Sequence, residues 1–182
     1  MIEVVVDRGY ISTTVTQVVA AAGVSRRTFY NYYADKQEAF FDVYRQVSDF
    51  LLEAMAEAGK AEKGGWAARV RRELEVLLET VTANPDLVWF CLAAPPAAGG
   101  EVAAAYRDFL VRLVGVLGQG RPKRTRHLPP AAEYGMAGGL AALVLKAVAD
   151  ADSEGVRKLL PEVTELVLTP YLGREQAARL TR

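Results

Sequence analysis

The sequence predicts an all-α protein: a three-helix N-terminal domain containing a helix-turn-helix, followed by a larger helical C-terminal domain. Three observations carry this expectation. Apolar residues recur at helical spacing in nearly every segment, as in Val15, Val18, Val19 and Ala22 at i, i+3, i+4 and i+7. Helix-start signals stand before those stripes: Thr14 with Gln17, Ser25 alone, and Asp35 with Glu38. Glycines and prolines fall between the stripes, at Gly9, Gly23 and Pro85 among others, where helices end or begin.

Each element follows in order. Ile2, Val5 and Val6 mark a first helix closed by Gly9. The second runs from the Thr14 cap to Gly23, a residue that tolerates the left-handed conformation of a helix end. Ser25 caps a short third helix reaching about Tyr33. Asp35 caps a longer fourth, continued by "QVSDFLLEAMAEA". The polar run "GKAEKGG" reads as a linker. Trp66, Val70, Leu74, Leu77, Leu78 and Val81 form the stripe of a fifth helix. Asn84-Pro85 breaks it and opens a short helix in "PDLVWFCLA", while "APPAAGG" reads as a loop. Val102, Tyr106, Phe109, Leu110, Leu113, Val114 and Leu117 mark the next helix, and "GQGRPKRTRHLPP" a loop. Two long helices close the chain, "AAEYGMAGGLAALVLKAVADA" and "SEGVRKLLPEVTELVLTPYL".

Composition narrows the function. The 182 residues are 51% hydrophobic and 24% charged, as a packed core requires, and the formal net charge is zero. That balance gives no global attraction to nucleic acid or anionic membranes. A single cysteine, Cys91, leaves no disulfide framework and fits a reducing cytoplasm. No apolar run suggests a membrane span, and no signal peptide is visible, so no membrane partner is expected. With His127 the only histidine, and with no paired carboxylates, nucleophile elbow or phosphate loop, neither a metal, a cofactor nor catalysis is expected.

The chemistry concentrates in residues 20–40, "AAAGVSRRTFYNYYADKQEAF". A helix of about nine residues, a three-residue turn and another short helix form the arrangement that sets its second helix in the DNA major groove. Phe29 points back onto Val15, Val18 and Val19, which leaves Arg26, Arg27, Thr28, Tyr30, Asn31 and Tyr32 on the outer face and ends. Arginine reads guanine edges, asparagine reads adenine, and hydroxyls reach phosphates.

Residues 9–44, "GYISTTVTQVVAAAGVSRRTFYNYYADKQEAFFDVY", closely resemble the N-terminal domain of TetR/AcrR-type transcriptional regulators. The matching features are Gly9-Tyr10, Thr13-Thr14, Ala21, Gly23-Val24-Ser25, Thr28-Phe29-Tyr30, Tyr33, Lys36 and Phe40. The resemblance implies that Thr14 and Tyr30 contact phosphates. It places Arg26, Arg27, Thr28, Asn31 and Tyr32 in the groove, with Lys36 holding the DNA backbone. It also implies a DNA-binding domain over residues 1–46 and a ligand-binding and dimerisation domain over 47–182. Two features depart from the family. Met1 falls mid-helix where relatives have a longer first helix behind a basic arm, and residues 1–46 carry balanced charge.

The helix over 131–149 is apolar nearly all round, with Lys146 its only charge after Glu133. Such a helix is buried on more than one side, and a two-fold homodimer covers it naturally. The expected partners are therefore a second copy, double-stranded DNA with an inverted-repeat operator, and a small-molecule effector. Trp66, Trp89, Phe90, Tyr106, Phe109, Tyr134 and Met136 suggest an apolar or aromatic effector pocket, against the plainer reading of core aromatics. The rival readings are a helical enzyme or scaffold with an incidental helix-turn-helix, and a regulator controlled by a protein partner. The run Arg121, Lys123, Arg124, Arg126 and His127 reads as a solvated loop, with a second nucleic-acid contact the sharper alternative.

Overall fold

The computed structural model describes residues 1–150 and 153–180. The expected helix end at Ala151 and the domain end at Arg182 lie outside the described residues. Twelve α-helices and one π-helical turn account for most of the described chain, and no strand occurs among the described residues. Three short helices come first: α1 (Ile2–Arg8), α2 (Val15–Ala22) and α3 (Arg26–Tyr30). The long α4 (Lys36–Ala61) and α5 (Trp66–Ala83) follow. Next come α6 (Pro85–Val88), the π turn Trp89–Ala93, α7 (Ala94–Ala98) and α8 (Gly100–Leu117). The chain closes with α9 (Pro130–Ala149), α10 (Ser153–Lys158), α11 (Leu160–Leu172) and α12 (Arg174–Leu180).

The caps act as the sequence predicts. Thr14 and Gln17 form a reciprocal box, the Thr14 hydroxyl accepting from the Gln17 N–H and the Gln17 amide oxygen accepting from the Thr14 N–H. Gly23 closes α2 at φ 66, a conformation that costs other residues strain. The Ser25 hydroxyl accepts from the Thr28 N–H, and the Asp35 carboxylate from the Glu38 N–H. The second box is shifted by one residue: the Glu38 carboxylate reaches the Ala34 N–H at 2.6 Å.

Two cores result. Val18, Val19, Phe29 and Ala39 form a small one that fixes α2 and α3 against the start of α4. The large one runs through the other helices and includes all six residues of the α5 stripe. It also takes in Val5 of α1 and Phe40 and Tyr44 of α4. The expected boundary at residues 46 and 47 lies inside α4, which is continuous over 26 residues and about 39 Å long at 1.5 Å per residue.

The structure differs from the sequence reading at several places. Helix α3 ends at Tyr30, short of the expected Tyr33. Helix α4 runs to Ala61, three residues into the expected linker. Its Gly59 is buried against α5, where an added Cβ would lie 2.1 Å from the Glu73 carboxylate. The expected loop "APPAAGG" contains α7, because Pro95 sits in the first turn, where a missing N–H costs nothing. The expected final helix is split at Leu159 into α10 and α11, since Pro161 cannot donate to the preceding turn. Beyond Gly173, α12 buries Ala177.

Helix α9 is long and apolar enough to cross a membrane by length and composition, contrary to the expectation that no segment qualifies. It packs on α8, α10 and α11, which bury Met136, Ala137, Leu140, Ala141 and Val144. Gly135 and Ala142 on the opposite side remain exposed.

Candidate nucleic-acid interface and apolar cavity

The outer surface of α3 is built by the inward turn of one residue. Phe29 is buried on Val18 and Val19, and Tyr33 leans on its ring at 5.4 Å between centroids. The Tyr33 hydroxyl donates to Asp42 at 2.9 Å, which locks the end of this segment to α4. That bond raises the Tyr33 pKa and lowers the Asp42 pKa. With Phe29 and Tyr33 turned in, Arg26, Arg27, Thr28, Tyr30, Asn31 and Tyr32 are all exposed. Tyr32 is 76% accessible.

These six residues form one continuous surface of donors and aromatic edges. The Arg26 guanidinium lies 5.9 Å from the Tyr30 ring centroid and 3.5 Å from the Thr16 hydroxyl of α2. The Arg27 side chain has no partner among the described residues. The Thr28 hydroxyl shares a 2.9 Å hydrogen bond with that of Ser25. Thr14 is exposed at the start of α2, its hydroxyl donating to the Gln17 amide oxygen at 3.0 Å. The positive end of the α2 dipole opens beside it, a favourable place for an anion.

Lys36 is placed differently. Its ammonium donates to the carbonyls of Tyr10 and Thr13, each at 2.8 Å, and more weakly to that of Ile11 at 3.4 Å. The Tyr10 ring lies 4.3 Å away. Burial lowers the pKa of this lysine.

The seven aromatic and methionine positions of the C-terminal domain do not converge. Trp66 is core: its indole N–H donates to the Leu117 carbonyl at 2.8 Å and its ring meets Tyr171 edge-on. Phe90 is fully buried against Phe40 and Tyr44, and Met136 is buried within α9. Trp89 is partly exposed in a cleft with α1 and α7, while Tyr134 lies exposed on α9. Tyr106 is half-buried on α8.

Phe109 alone of the seven reaches a central apolar cavity of about 40 Å³ between α4, α5, α6, α8 and α9. Val47, Phe50 and Leu51 line it from α4, and Leu140, Ala141 and Val144 from α9. Cys91 of the π turn also lines it, with burial pushing its thiol up to about 12. That favours an unreactive apolar wall over a nucleophile. Aromatic content misses most of this lining, which is aliphatic. Phe50, one of its walls, is 65% exposed on α4.

The cavity wall is physically connected to α1 and to the start of α4. The π turn that walls the cavity also packs against α1. The Phe90 ring in that turn packs at a tilt on Phe40 at 4.9 Å, and Phe40 meets Tyr10 edge-on at 4.8 Å. The Tyr44 hydroxyl of α4 donates to the Cys91 carbonyl at 3.0 Å.

The basic loop has another position. It joins the end of α8 to the start of α9, near Trp66, whereas α3 adjoins the opposite end of α4. Arg121 pairs with Glu133 at 2.8 Å and lies over the Tyr171 ring, whose hydroxyl also donates to Glu133. Arg121 is therefore a structural tie, while Lys123, Arg124, Arg126 and His127 are exposed.

Comparison with known proteins follows this division. Residues 2–43 match the model of bacterial regulatory proteins, tetR family. No curated protein matches the chain. Among solved structures, the fatty acid degradation regulator FadR from Bacillus halodurans superposes with a TM-score of 0.77 at 18% identity, over 92% of this chain and 93% of that one. The transcriptional regulator FadR from Bacillus subtilis in complex with stearoyl-CoA gives 0.75 at 17% identity, over 92% and 94%. A TetR family transcription regulator from Marinobacter aquaeolei VT8 gives 0.65 at 20% identity, over 91% and 90%.

Proposed function

We propose that this chain, a transcriptional regulator of the tetR family, binds an inverted-repeat operator as a homodimer and releases it when an apolar molecule enters the central cavity. The observation that carries the DNA reading is the α3 surface. Four exposed residues able to bond or stack lie on a short helix whose only buried side chain is Phe29, and two more, Asn31 and Tyr32, follow directly at its end. On this reading Arg26, Arg27, Thr28, Asn31 and Tyr32 meet the groove, and Thr14 and Tyr30 meet phosphates.

Dimerisation rests on α9 and α11. Gly135 and Gly138 have no heavy atom within 4 Å of the place a Cβ would occupy, so this face of α9 has room for a second helix. Leu143 and Leu166 are half-buried there. A two-fold pairing presents two copies of α3, which calls for an inverted repeat.

The effector reading rests on the cavity walls. Apart from Thr80 and Cys91, the residues lining it are hydrocarbon. Such walls suit an acyl-type chain better than an ionic or strongly polar body, the same chemistry as the tail of the stearoyl-CoA bound by the Bacillus subtilis protein. At about 40 Å³ the space is far below the roughly 300 Å³ of a typical ligand pocket. Occupancy must therefore part α4 from α6 and the π turn, and α4 and α1 carry that displacement to α3. A ligand acts only through its preference for one of two shapes, with couplings of about 1–3 kcal/mol typical. The site of action is the cytoplasm and the expected effect on transcription is repression.

The test is selection of bound fragments from random-sequence duplex DNA by the full-length chain. Enrichment of an inverted repeat supports the proposal, and enrichment of no sequence refutes it.

A further inference from the structure

The α1–α2 connection is held by one lysine from the far side of the helix-turn-helix. Lys36 is the first residue of α4, and the Tyr10, Ile11 and Thr13 carbonyls it engages lie 26, 25 and 23 residues earlier. Three carbonyls match the three hydrogens of an ammonium. The same segment is ordered from within: the buried Thr13 hydroxyl donates to the Gly9 carbonyl at 2.9 Å and lies 3.4 Å from that of Val4. Tyr10 covers the ammonium with its ring and packs on Phe40. Lys36 thus sits at a joint where α1, the connecting segment and α4 meet.

We infer that Lys36 is a positioning residue of the reading head, its ammonium clamping the α1–α2 connection to α4 instead of neutralising a DNA phosphate. The connection ends at Thr14, the cap of α2, so the clamp sets the start of α2 and, through it, α3 relative to α4. Eleven residues after Lys36, α4 begins to line the central cavity at Val47. Any shift of α4 then carries the helix-turn-helix with it as one body. A phosphate reached by the same ammonium would draw it off the carbonyls of Tyr10 and Thr13, leaving those acceptors without their charged donor. The role in DNA binding rests on the function proposed above, whereas the clamp itself is a property of the free chain.

The test joins two readouts. In the free wild-type protein, lysine Nζ nuclear magnetic resonance follows hydrogen exchange of the ammonium. We expect Lys36 to exchange about tenfold or more slowly than the exposed Lys63 and Lys123, because its hydrogens are bonded to carbonyls within the chain. Exchange as fast as theirs overturns the clamp, whether or not the protein binds DNA.

The second readout is operator affinity across a salt series for Lys36→Met and Lys36→Arg. We expect both variants to lose about tenfold or more, with the slope of log affinity against log salt unchanged. A phosphate contact would instead lower that slope by about 1.8 for the two copies in Lys36→Met, and Lys36→Arg would keep wild-type affinity. That pattern overturns the inference. If Lys36→Met does not fold, Lys36→Arg and the exchange measurement still decide. Failure of the wild type to prefer any DNA sequence refutes the proposed function and leaves the exchange result to judge the clamp.

Discussion

Arg27 projects from α3 with no side-chain partner among the described residues, whereas Arg26 leans on Tyr30 and Thr16. Both stand on the first turn after Ser25, where recognition helices touch base edges. Replacing either with alanine is expected to cost about 1–3 kcal/mol of specific binding and to relax preference at one base pair per half-site. Titration on the selected operator and its single-base variants checks this. Glu73 gives a second prediction, on stability. Its side chain is fully buried, paired with Arg69 at 2.8 Å, and one carboxylate oxygen has no partner. Burial pushes its pKa up to about 7 from an ordinary 4.5. The folded chain therefore holds a proton there that the unfolded chain loses, and stability falls as pH rises through that window. Thermal melts at pH 5 and pH 8 should show Glu73→Gln flattening this fall and gaining most at pH 8. At this scale the caps were legible, because Thr14 with Gln17 and Ser25 with Thr28 act within a few residues. The placement of Lys36 was not, because its partners lie more than 20 residues away and are backbone carbonyls.

Helices were legible where one face repeats and obscure where proline or glycine intervened. The α5 stripe named from spacing is buried at all six positions. "APPAAGG" looked like a loop because prolines end helices, yet Pro95 lies in a first turn that spares its missing N–H. The end of α4 was misread at Gly59, where the absent side chain leaves space for Glu73 on a neighbouring helix. The apolar cavity was hidden for a related reason. Its walls come from five helices, and the spacing within any one of them reads only as core. Filling it is the element-scale prediction. Ala141→Phe places a ring in about 40 Å³ of space and is expected to cost about 1–3 kcal/mol of stability. It should leave operator binding in place and abolish release by any apolar molecule that releases the wild type. Fluorescence anisotropy of labelled operator, with and without that molecule, reads both effects. Normal release in a folded Ala141→Phe protein would move the effector site elsewhere.

For the whole molecule, the sequence conveyed an all-α chain with a helix-turn-helix at one end, since both follow from local pattern. It did not convey that α1 and the start of α4 belong to the large core, which makes the reading head continuous with the body. Dimerisation is a statement at this scale. Leu143→Glu places a charge on the half-buried face of α9. If a partner covers that face, the charge is desolvated, and sedimentation should show monomer where the wild type is dimer. A wild type that sediments as a monomer at micromolar concentration contradicts the homodimer. The central claim is that this chain reads DNA sequence through α3. Its most direct test is the affinity of the full-length protein for the selected duplex against a scrambled duplex of equal length and composition, at one fixed salt concentration. A ratio of about 10³ or more in favour of the selected duplex is expected, with most of that ratio lost in the Arg26→Ala/Arg27→Ala double variant. Equal affinity for the two duplexes, or a ratio the double variant leaves intact, would contradict it.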